Sequence, residues 1–187
     1  MQWNTDRRTF LKAAGMFGAG LAMRPGFAWA ADGDTLRIRM EGDIQSLDPA
    51  TMNGGIEDVV MRGIYVTLNR LGDLRVGSPW SLWGAEKLEQ TDPKAIAFTL
   101  IDGLQWSNGF GAVTAEDVKF SYERIADPKL ASPWAYQFEQ LDRVEVLDKR
   151  SGIIHLKNPY QPLFVTSLPY YGGHILSREA TEKAGGK

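Results

Sequence analysis

Cysteine is absent from these 187 residues, so disulfides, thiolate metal sites and lipidation at a Cys are excluded. Histidine is scarce. The two present, His155 and His174, lie far apart with no acid at ligand spacing. His155 falls in a strand pattern and reads as an edge or core histidine rather than a metal ligand. Charge of one sign is also lacking. Against 23 acidic residues stand 21 basic ones, a net of -2 that leaves no electrostatic footprint for nucleic acid. No apolar run reaches the roughly 20 residues needed to span a bilayer. There is no Gly-x-Ser-x-Gly elbow, Walker loop, His-Glu-x-x-His or paired-Cys motif, so the residues assemble no catalytic constellation and imply no cofactor. What is present, 43% hydrophobic and 24% charged residues, is an ordinary globular composition with enough apolar material for one good core or two small ones.

Residues 1–30 read as an address rather than as fold. Asp6-Arg7-Arg8-Thr9-Phe10-Leu11-Lys12 resembles a twin-arginine export motif, with Asp6 where that pattern has Ser or Thr. A modest apolar segment follows, interrupted by Gly15, Gly18 and Gly20. Ala28-Trp29-Ala30 then supplies small residues at both positions a signal peptidase reads, so cleavage is expected before Ala31. An amphipathic first helix is the alternative. Four basic residues and one acid lie in this segment, and the rest of the chain carries 17 basic and 22 acidic residues.

Residues 35–40 alternate Leu36, Ile38 and Met40 with polar neighbours, a half-buried strand. Ser46-Leu47-Asp48-Pro49 must turn, because Pro49 fixes φ and biases Asp48 toward an extended conformation. A polar loop holding Met52, Asn53, Gly54 and Gly55 leads into an apolar series at helical spacing: Ile56, Val59, Val60, Gly63, Ile64 and Leu68. Glu57 and Asp58 in its first turn suit the helix dipole. Loops of this kind at strand ends point at ligands in α/β folds, because N–H groups at a helix start are unpaired. A plain connector is the alternative. A short hairpin is expected from Asn69 around Gly72-Asp73, and Trp80 and Trp83 read as packing aromatics. A second hairpin is expected from Arg143 to Lys157, then a short helix at Leu163 stopped by Pro169. A strand at His174-Ile175-Leu176 and a helix capped by Ser177 follow.

The most informative stretch is residues 95–124, AIAFTLIDGLQWSNGFGAVTAEDVKFSYER. Ile96, Phe98 and Leu100 alternate as in a strand with one buried face. Asp102-Gly103 and Asn108-Gly109 are turn dipeptides. Thr114 and Asp117 form a capping box, Val118, Ser121, Tyr122 and Ile125 share the inner face, and Asp127-Pro128 ends the helix. Lys119 and Glu123 are expected outside. In order, Leu-x-x-Gly-Leu-x-Trp-Ser-Asn-Gly and Val-Thr-Ala-Glu-Asp-Val-x-Phe-Ser-Tyr-Glu-Arg resemble the signature of the family 5 extracellular solute-binding proteins, the peptide- and nickel-type binding components of ABC importers. Phe110-Gly111-Ala112 stands where the family has a Pro. Leu47-Asp48-Pro49 after the first strand is a second point of similarity.

The resemblance implies a mixed α/β (α+β) fold, the N-terminal part of a two-lobed periplasmic-binding-protein-like fold with an inserted domain. By it, residues 1–30 are the signal peptide, 31–68 start lobe I, 69–169 form the inserted domain and 170–187 return into lobe I, with the chain expected to be a fragment. It implies a periplasmic, monomeric binding protein and no enzyme. Such a protein captures a peptide or other small solute and delivers it to ABC permease subunits after passing the twin-arginine export machinery. Met52, Asn53, Gly54 and Gly55 are expected to line the cleft. Gly54 and Gly55 let backbone groups approach a ligand, and Asn53 adds one donor and one acceptor. A secreted hydrolase or other enzyme with its catalytic residues beyond Lys187 is the alternative.

Overall fold

A computed structural model of the chain describes residues 38–72, 75 and 77–186. The chain divides into two units, Met1–Arg39 and Met40–Lys187. The twin-arginine segment, the cleavage site before Ala31 and residues 35–37 of the first expected strand lie outside the described residues. Residues 38–40 carry no strand.

The second unit is built on a four-stranded antiparallel sheet in the order β3-β4-β6-β5. Its strands are β3 (Ala85–Asp92), β4 (Ala95–Leu100), β5 (Leu141–Val146) and β6 (Ser151–Leu156). The alternation of β4 holds: Ile96, Phe98 and Leu100 are buried between half-buried neighbours. Register pairs Ile96 with Ile154 and Phe98 with Gly152. A Cβ at residue 152 would stand 2.6 Å from the Glu145 carbonyl oxygen and 2.7 Å from the Phe98 ring, so only glycine lets these strands close over that ring. Across the β5–β6 pair, Glu145 Oε2 lies 2.7 Å from His155 Nε2, which places this histidine in a cross-strand pair.

Helix α2 (Ala115–Ala126) covers the sheet, following α1 (Gly55–Ile64). Its inner face is Val118, Ser121, Tyr122 and Ile125, as the 3.6-residue period requires. Tyr122 meets Phe138 at 4.9 Å between ring centroids. The capping box is complete, and Asp117 does more than cap. Its Oδ2 accepts from Thr114 N at 2.9 Å, Thr114 Oγ1 at 2.9 Å and Trp106 Nε1 at 3.2 Å, while Oδ1 accepts from Arg178 N at 2.9 Å. Lys119 and Glu123, expected outside, are half-buried. They clip the helix to β5, with Lys119 Nζ donating to the Val144 carbonyl and Glu123 Oε1 accepting from Val144 N.

Other elements differ from expectation. The first hairpin pairs β1 (Asn69–Leu71) with β2 (Trp80–Leu82), so its loop is longer than a Gly72-Asp73 turn; Gly72 N donates to the Pro79 carbonyl at 3.0 Å. Trp80 packs on Phe164 at 5.3 Å, as expected, but Trp83 is half exposed under the Arg70 guanidinium. The expected strand at residues 174–176 reduces to one bridge, Ile175 to Val66. Short helices α3 (Leu163–Thr166) and α4 (Arg178–Lys183) stand where expected, the latter capped by Ser177 Oγ. Among the described residues no helix is long and apolar enough to cross a membrane.

Candidate functional site

Asp48 organises the segment that leads to the predicted loop. Its Oδ1 accepts from Ala50 N at 2.9 Å, and its carbonyl accepts from Thr51 N at 3.0 Å and Met52 N at 2.9 Å. The turn that Pro49 requires is thus stitched on both sides of one residue. The Asp48 carboxylate is also gripped by Arg124, at 2.8 Å from Nη1 and 2.7 Å from Nη2, with the arginine side chain 8% exposed. Such a two-toothed pair fixes direction as well as distance. Burial by itself raises the Asp48 pKa; the hydrogen bonds from Arg124 and Ala50 and the Arg124 charge outweigh it and hold the carboxyl below its ordinary range. The pair joins Leu47-Asp48-Pro49 to Ser121-Tyr122-Glu123-Arg124, two motifs that are 76 residues apart at the paired positions.

Beyond the turn, the loop is held a second time. Met52 is fully buried, and its carbonyl accepts from Trp134 Nε1 at 2.9 Å. Met52 therefore anchors the loop by its side chain rather than facing outward. Asn53 is exposed, and added Cβ atoms at Gly54 and Gly55 would meet nothing within 4 Å. Gly54 is the N-cap of α1 and offers no side chain to its N–H groups. Among the described residues, the N–H groups of Gly55, Ile56 and Glu57 have no hydrogen-bond partner, as at any uncapped helix start.

The face α1 buries is not the one its apolar spacing marks. Glu57, Asp58 and Met61 point inward, while Val59 and Ile64 are 60% and 54% exposed. The inward acids are paired: Glu57 Oε1 accepts from Gln45 N at 3.2 Å, and Asp58 Oδ2 accepts from Arg62 Nε at 2.6 Å. Met61 supplies the buried apolar contact; Glu57 and Asp58 each find one donor, while Asp58 Oδ1 is buried without one, and these three side chains set the rotation of the helix.

Aromatic rings flank the loop. Trp134, which holds Met52, lies 4.4 Å from Tyr171 and 6.3 Å from Tyr136, Tyr171 lies 4.6 Å from Tyr170, and the Arg62 guanidinium sits 5.3 Å above the Tyr170 ring. Burial, followed by the neighbouring Tyr170 and Asp58, raises the Tyr171 pKa and keeps its phenol neutral. Sequence reasoning placed Met52, Asn53, Gly54 and Gly55 but missed Trp134, the tyrosines and the Asp48–Arg124 pair. Tyr170-Tyr171-Gly172-Gly173 was the visible signal for part of this group. Among the described residues no cluster of His, Cys, Asp or Glu could hold a metal ion.

An exposed polar loop, clamped from behind, thus lies beside a helix start and a group of aromatic rings. The profile of the bacterial extracellular solute-binding proteins, family 5 Middle, matches residues 81–187. The chain belongs to this family, which is one of binding proteins rather than enzymes. It is 37% identical over 138 residues to the periplasmic oligopeptide-binding protein OppA of Salmonella typhimurium, covering 74% of this chain and 24% of that protein. Among solved structures it resembles MoaA from A. tumefaciens R10 in complex with mannopinic acid, with a TM-score of 0.69 at 27% identity over 76% of this chain and 29% of that one. It also resembles Haemophilus influenzae OppA in complex with RPPGFSPFR, with a TM-score of 0.65 at 26% identity over 75% and 30%. The chain thus spans about a quarter of the length of that first curated relative and about three tenths of the two solved structures. The mixed α/β fold is that of family 5 structures over part of their length.

Proposed function

We propose that this chain serves in the substrate-binding component of an ABC importer, which captures a peptide-like or other small solute between two lobes and hands it to the membrane permease. The observation that carries the reading is the double clamp on the loop. Arg124 fixes Asp48 on one side and Trp134 fixes the Met52 carbonyl on the other, so Asn53, Gly54 and Gly55 present backbone groups at a set place. Met52 contributes by anchoring the loop, and the other three residues contact the ligand. A loop that offers main-chain groups reads the main chain of a ligand and ignores its side chains, which suits a broad-specificity carrier. The ligands bound by two similar proteins, RPPGFSPFR in one and mannopinic acid in the other, support a solute class of this breadth.

The same reading divides residues 31–68 and 170–187 into one lobe and 69–169 into an inserted domain. The bridge between Val66 and Ile175, with Ile175 N donating to the Val66 carbonyl at 2.8 Å, supports it, because it joins the segments on either side of the insertion. Residues 1–30 act as a twin-arginine-type signal cleaved before Ala31, and the mature protein works in the periplasm, where several relatives are named as residing.

The test is Gly54→Val in the protein that carries this chain. Gly54 has φ 168, extended backbone that valine adopts, and its Cβ direction is open, so the unliganded melting temperature should stay near wild type. Peptide affinity by calorimetry should fall by about 1–3 kcal/mol through clash and lost hydrogen bonds. Unchanged affinity would remove the loop from the site.

A further inference from the structure

Beside the clamped loop lies a recess of about 370 Å3 whose walls are Tyr136, Tyr160, Tyr170 and Tyr171. Tyr171 is shared with the aromatic group around Trp134, so the recess opens next to the loop. Its remaining lining is Gln137, Val165 and Thr166, and no charged side chain contributes to it. The phenol hydroxyls of the four tyrosines have no hydrogen-bond partner among the described residues, and none is sealed from solvent.

Gln137 is the informative residue. It is only 7% exposed, yet it lines the recess. Its Oε1 accepts from Gly172 N at 3.1 Å, and its main-chain carbonyl accepts from Ser167 Oγ at 2.6 Å. An N–H can only donate, so the Gly172 contact fixes which end of the amide is oxygen. The amide nitrogen is therefore turned the other way. It has no partner among the described residues and is not among the sealed-off polar atoms, so an open donor belongs to a residue that lines the recess. Thr166 cannot substitute for it as a donor, because its hydroxyl already donates to the Pro162 carbonyl at 2.9 Å. An amide donor without a protein partner, on a residue that lines a neutral ring-walled recess, is available to an oxygen of a ligand there.

We propose that this recess is a subsite for an uncharged ring bearing a hydroxyl group. Tyrosine faces stack on the ring, the Gln137 amide donates to its oxygen, and the absence of charge in the lining disfavours carboxylate or ammonium groups. Two sources share this chemistry, a tyrosine-like side chain of a peptide and a sugar ring. The inference rests on the proposed carrier function only for the place of the ring within a larger ligand. The recess itself stands on its own geometry.

The test uses two probes that lack a peptide main chain and so draw nothing from the loop: 4-cresol and methyl β-glucoside, each titrated against the mature protein that carries this chain by ligand-observed NMR. Saturable binding of either in the millimolar range is expected, and which one binds names the source. Binding of neither overturns the proposal. Tyr136→Ala, at a residue 64% exposed and so tolerant of change, should weaken the bound probe at least about fivefold. Gln137→Glu keeps the acceptor for Gly172 N and removes the donor, and should weaken it likewise. Should Gln137→Glu fail to fold, Tyr136→Ala decides alone. Wild-type affinity in folded Tyr136→Ala, or in folded Gln137→Glu, overturns the assignment. Gly54→Val should leave both probes unaffected, so the recess and the loop can fail separately.

Discussion

Replacing Asp48 by Asn removes one charge and almost no volume, and its cost can be worked from the pair it makes. Asn keeps an oxygen for Ala50 N and leaves the main-chain bonds to Thr51 and Met52 intact, so the turn survives. What goes is the charge and the second tooth, from Arg124 Nη2 to Oδ2; the Nη1 bond ends on the oxygen that Asn keeps. Stranding a fully buried charge costs about 3–5 kcal/mol. Asp48→Asn stops short of that: the side chain is 32% exposed, one bond to Arg124 persists, and Arg124 has a further interaction besides Asp48. About 2 kcal/mol is the expected loss, which in a chain of this size lowers the melting temperature by about 4–8 °C. The sign with pH is fixed. The folded carboxyl titrates below its ordinary value of 3.8, so its stabilisation is present above that value and fades as pH falls through the folded pKa. The gap between wild type and Asp48→Asn should therefore be constant at neutral pH and close in strong acid. Urea unfolding of wild type, Asp48→Asn, Arg124→Gln and the double variant at several pH values measures both effects. A coupling below about 0.5 kcal/mol, or a gap that does not narrow in acid, would refute the reasoning.

Three further outcomes follow from the same structure. Thr114→Ala should cost about 1 kcal/mol through loss of the cap, and Asp117→Ala more, since it strands four donors; equal costs in denaturant unfolding would contradict the network. Val59→Ser should stay within about 0.5 kcal/mol of wild type while Met61→Ala costs about 2–4 kcal/mol, and the reverse order would mean α1 is rotated. Replacing Arg7 and Arg8 by Lys should leave the precursor in the cytoplasm on fractionation; normal export, or a mature N-terminus other than Ala31, would count against the proposed signal.

What the sequence determined by itself is what depends on near neighbours. The alternation of Ile96, Phe98 and Leu100, the turns at Gly103 and Asn108-Gly109, and the box between Thr114 and Asp117 are each complete within a few residues. The order of these local units was enough to indicate the family, and the loop of Met52, Asn53, Gly54 and Gly55 stood out as polar and glycine-rich before a helix. Tertiary structure decided the rest, because the partner lies elsewhere in the chain. Strand β3 escaped notice because, as an edge strand with two bulges, it buries only Ala85 and Leu88 and shows no period of two. The rotation of α1 is not the one its apolar spacing marks because Glu57 and Asp58 find donors at Gln45 and Arg62, which offset part of the usual cost of turning acids inward. Arg124 reaching Asp48, Trp134 reaching Met52 and Gly172 orienting Gln137 are contacts across 76, 82 and 35 residues. No local pattern records them, because the physical requirement each one meets, a buried charge or polar group needing its complement, arises only once the chain has folded around it.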